Sequence, residues 1–229
     1  MIVVVGGVKG GSGKTTIATN LAVLRSADNK RVLLIDADEQ KSASQFAAQR
    51  DGLGIETKWS TIQLGGKELH IQVKRLKPDF DDIIIDVGGR ATTSQRSALL
   101  IADLFLMPFN PASYDIWTVG EVKMMIQEMK TVNSKLHAIA FINRADPKGS
   151  ENQEAIEILQ ECKDFECLSM TIGNRKAFRT SSGEGISVTE MKVPEAKKAA
   201  SEMRALYEYV YVESELLIKY MYDTIMMSK

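Results

Sequence analysis

The chain has 229 residues, 44% of them hydrophobic and 26% charged, with a formal net charge of −1. That balance is ordinary for a globular protein, so a disordered chain is excluded and no disulfide or metal staple is needed to hold a fold. Near-neutrality also excludes a uniformly basic surface, so any contact with nucleic acid has to come from a local patch.

The first element, IVVV (Ile2–Val5), is a short β-branched run closed by Gly6 and predicts a strand. No basic lead precedes it, and no apolar run approaches the roughly 20 residues of a membrane span. The expectation is a cytoplasmic protein. Next comes VKGGSGKTT (Val8–Thr16). Its tail is that of a phosphate-binding loop, but the glycine usual six residues before the lysine is replaced by Val8, and an extra lysine, Lys9, follows it. Glycines let the backbone amides of residues 10–14 (Gly10, Gly11, Ser12, Gly13, Lys14) turn inward as an anion nest. The following helix aims its positive end at the same place. Lys14 would sit on the β and γ phosphates, and Thr15 offers a hydroxyl to Mg²⁺.

After the loop, TTIATNLAVLRSA predicts a helix with Ile17, Leu21 and Leu24 on one face, ended by the turn Asp28-Asn29-Lys30. RVLLIDAD is the next strand. Asp36 and Asp38, two apart on an extended chain, point to one side, where one could contact the metal shell and the other orient water. DIIIDVGG (Asp82–Gly89) repeats the design, and Asp86 has the form of a second metal-site carboxylate. Strands follow at Asp103–Asn110, Leu136–Arg144 and Phe165–Ile172, with helices around Thr93–Ala102, Tyr114–Thr131 and Glu151–Glu161. Cys162 and Cys167 lack the ligand number and spacing of a zinc site and read as free thiols. From Pro194 to about residue 226 the chain looks helical, with Ala199, Met203, Leu206, Val210 and Leu217 on one face that packs on the rest.

Continuous apolar strands alternating with helices predict an α/β fold, a doubly wound and mostly parallel sheet flanked by helices, in one domain spanning 1–229. Ligands in such sheets gather at the carboxyl ends of the strands, where the glycine loop, Asp36, Asp38, Asp86 and Asn143 all fall.

Together KGGSGKTT, LLIDADEQ and DIIIDVGG resemble the ParA/MinD family of deviant Walker ATPases, and most of all the short ParA-type partition ATPases. The resemblance implies an ATPase using ATP and Mg²⁺. Lys9 matches the signature lysine that crosses a dimer interface to the partner's nucleotide. Lys14, Thr15 and Thr16 match the phosphate and Mg²⁺ residues, Asp38 the aspartate that positions the hydrolytic water, and Asp86 the Walker B residue. Asn143 occupies the position from which the family often reads adenine. The family commonly has proline where this chain has Glu39, and prolines where it has Gly88-Gly89-Arg90, glycines that leave this switch freer to move.

The resemblance further implies an ATP-dependent homodimer, non-specific DNA binding, association with the nucleoid, and a small centromere-binding adaptor of ParB or ParG type. The DNA candidates are Arg175, Lys176, Arg179, Lys197, Lys198 and Arg204, in a stretch where basic residues outnumber acidic ones. The rival readings are a MinD-like membrane-associated or organelle-positioning ATPase and a metabolic enzyme on the same fold. The tail ELLIKYMYDTIMMSK carries few lysines and two acids, a poor match to anionic lipid.

Overall fold

The computed structural model describes residues 1–89, 92–111, 117–147 and 150–213. The strands are β1 (Ile2–Val5), β2 (Val32–Ala37), β3 (Ser60–Gln63), β4 (Asp82–Val87), β5 (Leu104–Phe109), β6 (His137–Ala145) and β7 (Glu166–Gly173). They form one sheet in the order β3-β2-β4-β1-β5-β6-β7, and every pairing is parallel. The helices are α1 (Lys14–Ala27), α2 (Ser42–Gly52), α3 (Leu69–Leu76), α4 (Thr93–Leu99), α5 (Val119–Val132), α6 (Glu151–Gln160), α7 (Lys176–Gly183) and α8 (Lys197–Glu208).

The interior strands are largely apolar because both faces of the sheet are covered. Val3, Val5, Leu34, Ile84, Leu106 and Phe141 face α1, α2, α7 and α8, through Leu21, Phe46, Phe178 and Met203 among others. The alternate residues Ile2, Val4, Ile35, Ile85, Phe105 and Ile142 face α3 to α6, through Val73, Leu99, Ile126 and Leu159. The period of two along each strand thus splits one run of hydrophobics into two cores.

Strand order positions the site. The chain passes from β1 to β2, outward to the edge strand β3, back to β4 beside β1, and only then to β5 on β1's other side. This reversal at β1 opens a crevice at the carboxyl ends of β1, β2 and β4. In register, Asp86 lies beside both Val5 and Asp36.

The C-terminal helical stretch begins with a short 3₁₀ turn at Pro194–Ala196, continues as α8 and passes into a π-helical turn at Tyr209–Glu213. As expected, Ala199, Met203, Leu206 and Val210 are buried on one face. Leu217 and the rest of the expected helix lie outside the described residues, as do Arg90 and Tyr114.

Candidate functional site

The phosphate-binding loop runs from the end of β1 to the start of α1. Gly13 caps α1 in the left-handed region, with φ 92, a conformation that side chains resist, and its carbonyl accepts from Ile17 N at 3.0 Å. The loop borders an open cleft of about 1570 Å³ that also reaches Asp38, Lys41, Gln45, Gly88 and Ser182. The two lysines have opposite settings. Lys14 is only 6% exposed, and its Nζ donates to the Lys9 carbonyl at 2.8 Å. The Lys9 side chain stands exposed at the lip of the cleft.

Three carboxylates meet opposite the loop. Asp86 is 1% exposed, and its Oδ2 accepts from the Thr15 hydroxyl at 2.7 Å. Its Oδ1 is buried and, among the described residues, has no hydrogen-bond partner. Burial pushes the Asp86 carboxyl up to about 7, the Thr15 hydrogen bond pulls it back, Asp36 and Asp38 push it further up, and Lys14 opposes them. A buried acid with a spare oxygen beside a threonine hydroxyl is a hard-oxygen donor set suited to Mg²⁺. Asp36 is differently employed: its Oδ2 accepts from Ser44 N at 2.7 Å, in the first turn of α2, and its Oδ1 from Asp38 N at 3.3 Å. Asp38 accepts from Gln40 N at 3.1 Å and lies against Gly88.

Asn143 sits beneath the loop. It is 5% exposed, its Nδ2 donates to the Ser12 carbonyl at 2.6 Å, and a Cβ on Gly13 would lie 2.3 Å from that nitrogen. The amide expected to face a base is thus committed to the loop. It still borders a second cavity of about 440 Å³, shared with Thr16, Arg144, Asn174 and Phe178.

The family model for the CobQ/CobB/MinD/ParA nucleotide-binding domain matches residues 2–188. The chain belongs to this family. It is an ATPase of the ParA/MinD type. Among its relatives, maintenance of carboxysome distribution protein A from Halothiobacillus neapolitanus is 26% identical over 221 residues, covering 90% of this chain and 94% of that protein. Protein IncC from Escherichia coli is 24% identical, covering 91% of this chain and 68% of IncC. Similar solved structures include a Cyanothece McdA complex with ATP, with a TM-score of 0.72 at 18% identity, covering 89% of this chain and 95% of that one. The cell division ATPase MinD from Pyrococcus furiosus has a TM-score of 0.68 at 21% identity, covering 90% and 98%. These structural likenesses carry the fold.

Within this ParA/MinD-type domain, the candidate DNA residues divide. Lys176, Arg179, Lys197, Lys198 and Arg204 are exposed on α7 and α8. Arg175 is turned inward instead: its Nε and one terminal nitrogen fork onto Glu202 at 2.8 and 2.6 Å, and Glu202 also accepts from Gly173 N. This pair fastens the end of β7 to α8. The residues after Asp86 also differ from expectation. Gly89 is packed hard on the loop, since a Cβ there would come within 2.5 Å of Gly10 Cα and 2.9 Å of the Lys9 carbonyl carbon. Its glycine serves close approach of two backbones, where the sequence suggested freedom to move. Gln95, which sequence reasoning passed over, is fully buried and contacts the loop from α4. A glutamine inside the pattern of a short helix carries no signal of that role.

Proposed function

We propose that this ATPase forms an ATP-dependent homodimer, binds DNA without sequence preference and drives DNA partition together with a small DNA-binding adaptor. The observation that carries the reading is the division between the two lysines: Lys14 buried on its own loop, Lys9 exposed at the lip of the cleft. A lysine so placed is available to a second subunit's nucleotide. The family membership supports the partition role.

In this reading the loop amides from Gly10 to Thr16 hold the phosphates, and Lys14 leaves the Lys9 carbonyl to meet them as a point charge. Thr15 and Asp86 would hold Mg²⁺, with Asp36 behind them setting the start of α2. Mg²⁺, when bound, supplies charge neutralisation on the phosphate oxygens. Asp38 would orient the attacking water from the rim of the cleft. Asn143 acts by fixing the loop and bordering the nucleoside cavity. The exposed cations of α7 and α8 form the DNA face, and dimerisation doubles it.

The decisive measurement is the ATPase rate of the protein alone, with DNA, and with DNA plus a candidate adaptor. Slow turnover, accelerated only by the last combination, is the expected result. Turnover indifferent to DNA and adaptor would overturn the reading. A second reading, positioning of a protein assembly by the same engine, is favoured by the carboxysome-distribution relative. Adaptor specificity separates the two. No helix among the described residues is long and apolar enough to cross a membrane, and flotation with liposomes and ATP tests surface association directly.

A further inference from the structure

Gln95 is 0% exposed, in a cluster of Val87, Ala98, Phe105 and Met125. A glutamine is rarely buried so completely, and burying its amide is unfavourable unless the amide is bonded. Its Oε1 accepts from Gly7 N at 3.3 Å and its Nε2 donates to Met125 Sδ at 3.0 Å. The orientation follows from chemistry, because only the oxygen can accept from an N–H. Its own backbone N–H is capped by Thr92 Oγ1 at 3.2 Å, which sets the start of α4. Around Gly6 there is no space to shift: a Cβ there would lie 2.6 Å from Phe105, 2.7 Å from Val87 and 3.2 Å from Gln95 Oε1.

The stretch of chain from Asp86 to Gln95 therefore grips the phosphate loop at three places. Asp86 takes the Thr15 hydroxyl, Gly89 lies on the Lys9–Gly10 backbone, and Gln95 takes the Gly7 N–H. The first two fix the middle and end of the loop. Gln95 alone of the three fixes its start, and through Met125 it ties that start to α5. We propose that Gln95 is a positioning residue for nucleotide binding: it holds the start of the loop at a set distance from Asp86, so that the loop amides are aimed before ATP arrives. Preorganised donors bind more tightly because no ordering cost remains at the moment of binding.

This rests on ATP occupying the loop, and the wild-type protein is the control for that. Two variants carry the test. Gln95→Met keeps the volume and removes the acceptor, leaving the Gly7 N–H orphaned. The expected result is ATP binding weaker by about tenfold in calorimetry with Mg²⁺ present, with cooperative thermal unfolding retained. Gln95→Glu keeps an acceptor for the Gly7 N–H at any pH but a donor toward Met125 only while protonated, and burial favours that neutral form. Its ATP affinity relative to wild type is expected to approach one at acidic pH, where the neutral acid reproduces both bonds of the amide, and to fall as pH rises and a buried negative charge replaces the donor. Wild-type protein that binds no ATP would sink the nucleotide reading itself. Wild-type binding with Gln95→Met within twofold of it, or a Gln95→Glu affinity well below wild type even at acidic pH, would overturn the role of Gln95.

Discussion

Lys9 and Lys14 stand five residues apart, yet folding gives them opposite environments. The Nζ of Lys14 is held on a backbone carbonyl inside the loop, whereas the Lys9 side chain faces solvent. Lys14→Ala is expected to abolish tight ATP binding, because no other buried cation lines the loop among the described residues. Lys9→Ala is expected to bind ATP as a monomer and to lose ATP-dependent dimers in light scattering. Dimers that persist would remove the cross-subunit role. The Asp38 carboxylate accepts one backbone hydrogen bond and borders the open cleft, while Asp36 commits both oxygens to backbone N–H groups. Asp38→Ala is therefore expected to keep ATP affinity and to slow single-turnover hydrolysis by about 10²-fold, leaving the dimer long-lived. Asp36→Ala should instead loosen the first turn of α2, seen as faster hydrogen exchange at Ser44. The carboxylates were legible in the sequence because each ends a buried apolar strand. Their division of labour was not, because it depends on which backbone amides a neighbouring helix brings up.

At the scale of elements, β1, β2 and β4 to β6 announce themselves because an interior strand covered on both faces is largely apolar. The edge strand β3, Ser60–Gln63, has exposed or half-buried positions and no such run, so nothing in its pattern marks it. Helix α7 buries only Ala177, Phe178 and Ser181 and is equally quiet. The segment after β4 shows a different limit. Gly88-Gly89 is plain in the sequence, but the reason for Gly89 is the Lys9–Gly10 backbone it lies against, and that proximity exists only once β4 and β1 pair. A methyl group at 89 meets backbone, which cannot rotate away. Gly89→Ala is expected to cost about 1–3 kcal/mol of overpacking strain. Part of it should appear as weaker ATP binding, since the displaced atoms belong to the loop. Equal melting temperatures for Gly89→Ala and wild type, with equal ATP affinity, would show that the two backbones are not in contact.

For the whole molecule, the near-neutral charge makes the location of the cations decisive. Between Gly173 and Arg204 the candidate DNA residues do not act as one set. Arg175 is paired in a fork with Glu202, which also caps Gly173 N, so its charge is spent on joining β7 to α8. Lys176, Arg179, Lys197, Lys198 and Arg204 have exposed side chains instead. Phosphate contacts release counterions, so each cation that neutralises a phosphate should steepen the fall of log K with log salt by roughly 0.9. Replacing Lys176 and Arg179 by alanine should therefore lower that slope by up to roughly two in the ATP-bound protein, or about twice as much if both subunits of a dimer contribute. Its unfolding should be unchanged. Arg175→Ala is expected to behave the other way, lowering the melting temperature with little change in salt slope, because Glu202 is left partly buried without its partner. A slope unaffected by the double substitution would remove α7 from the DNA face. A slope that falls only with ATP present would tie DNA binding to the same dimer in which Lys9 acts, making nucleotide, partner subunit and DNA three readouts of one conformational state.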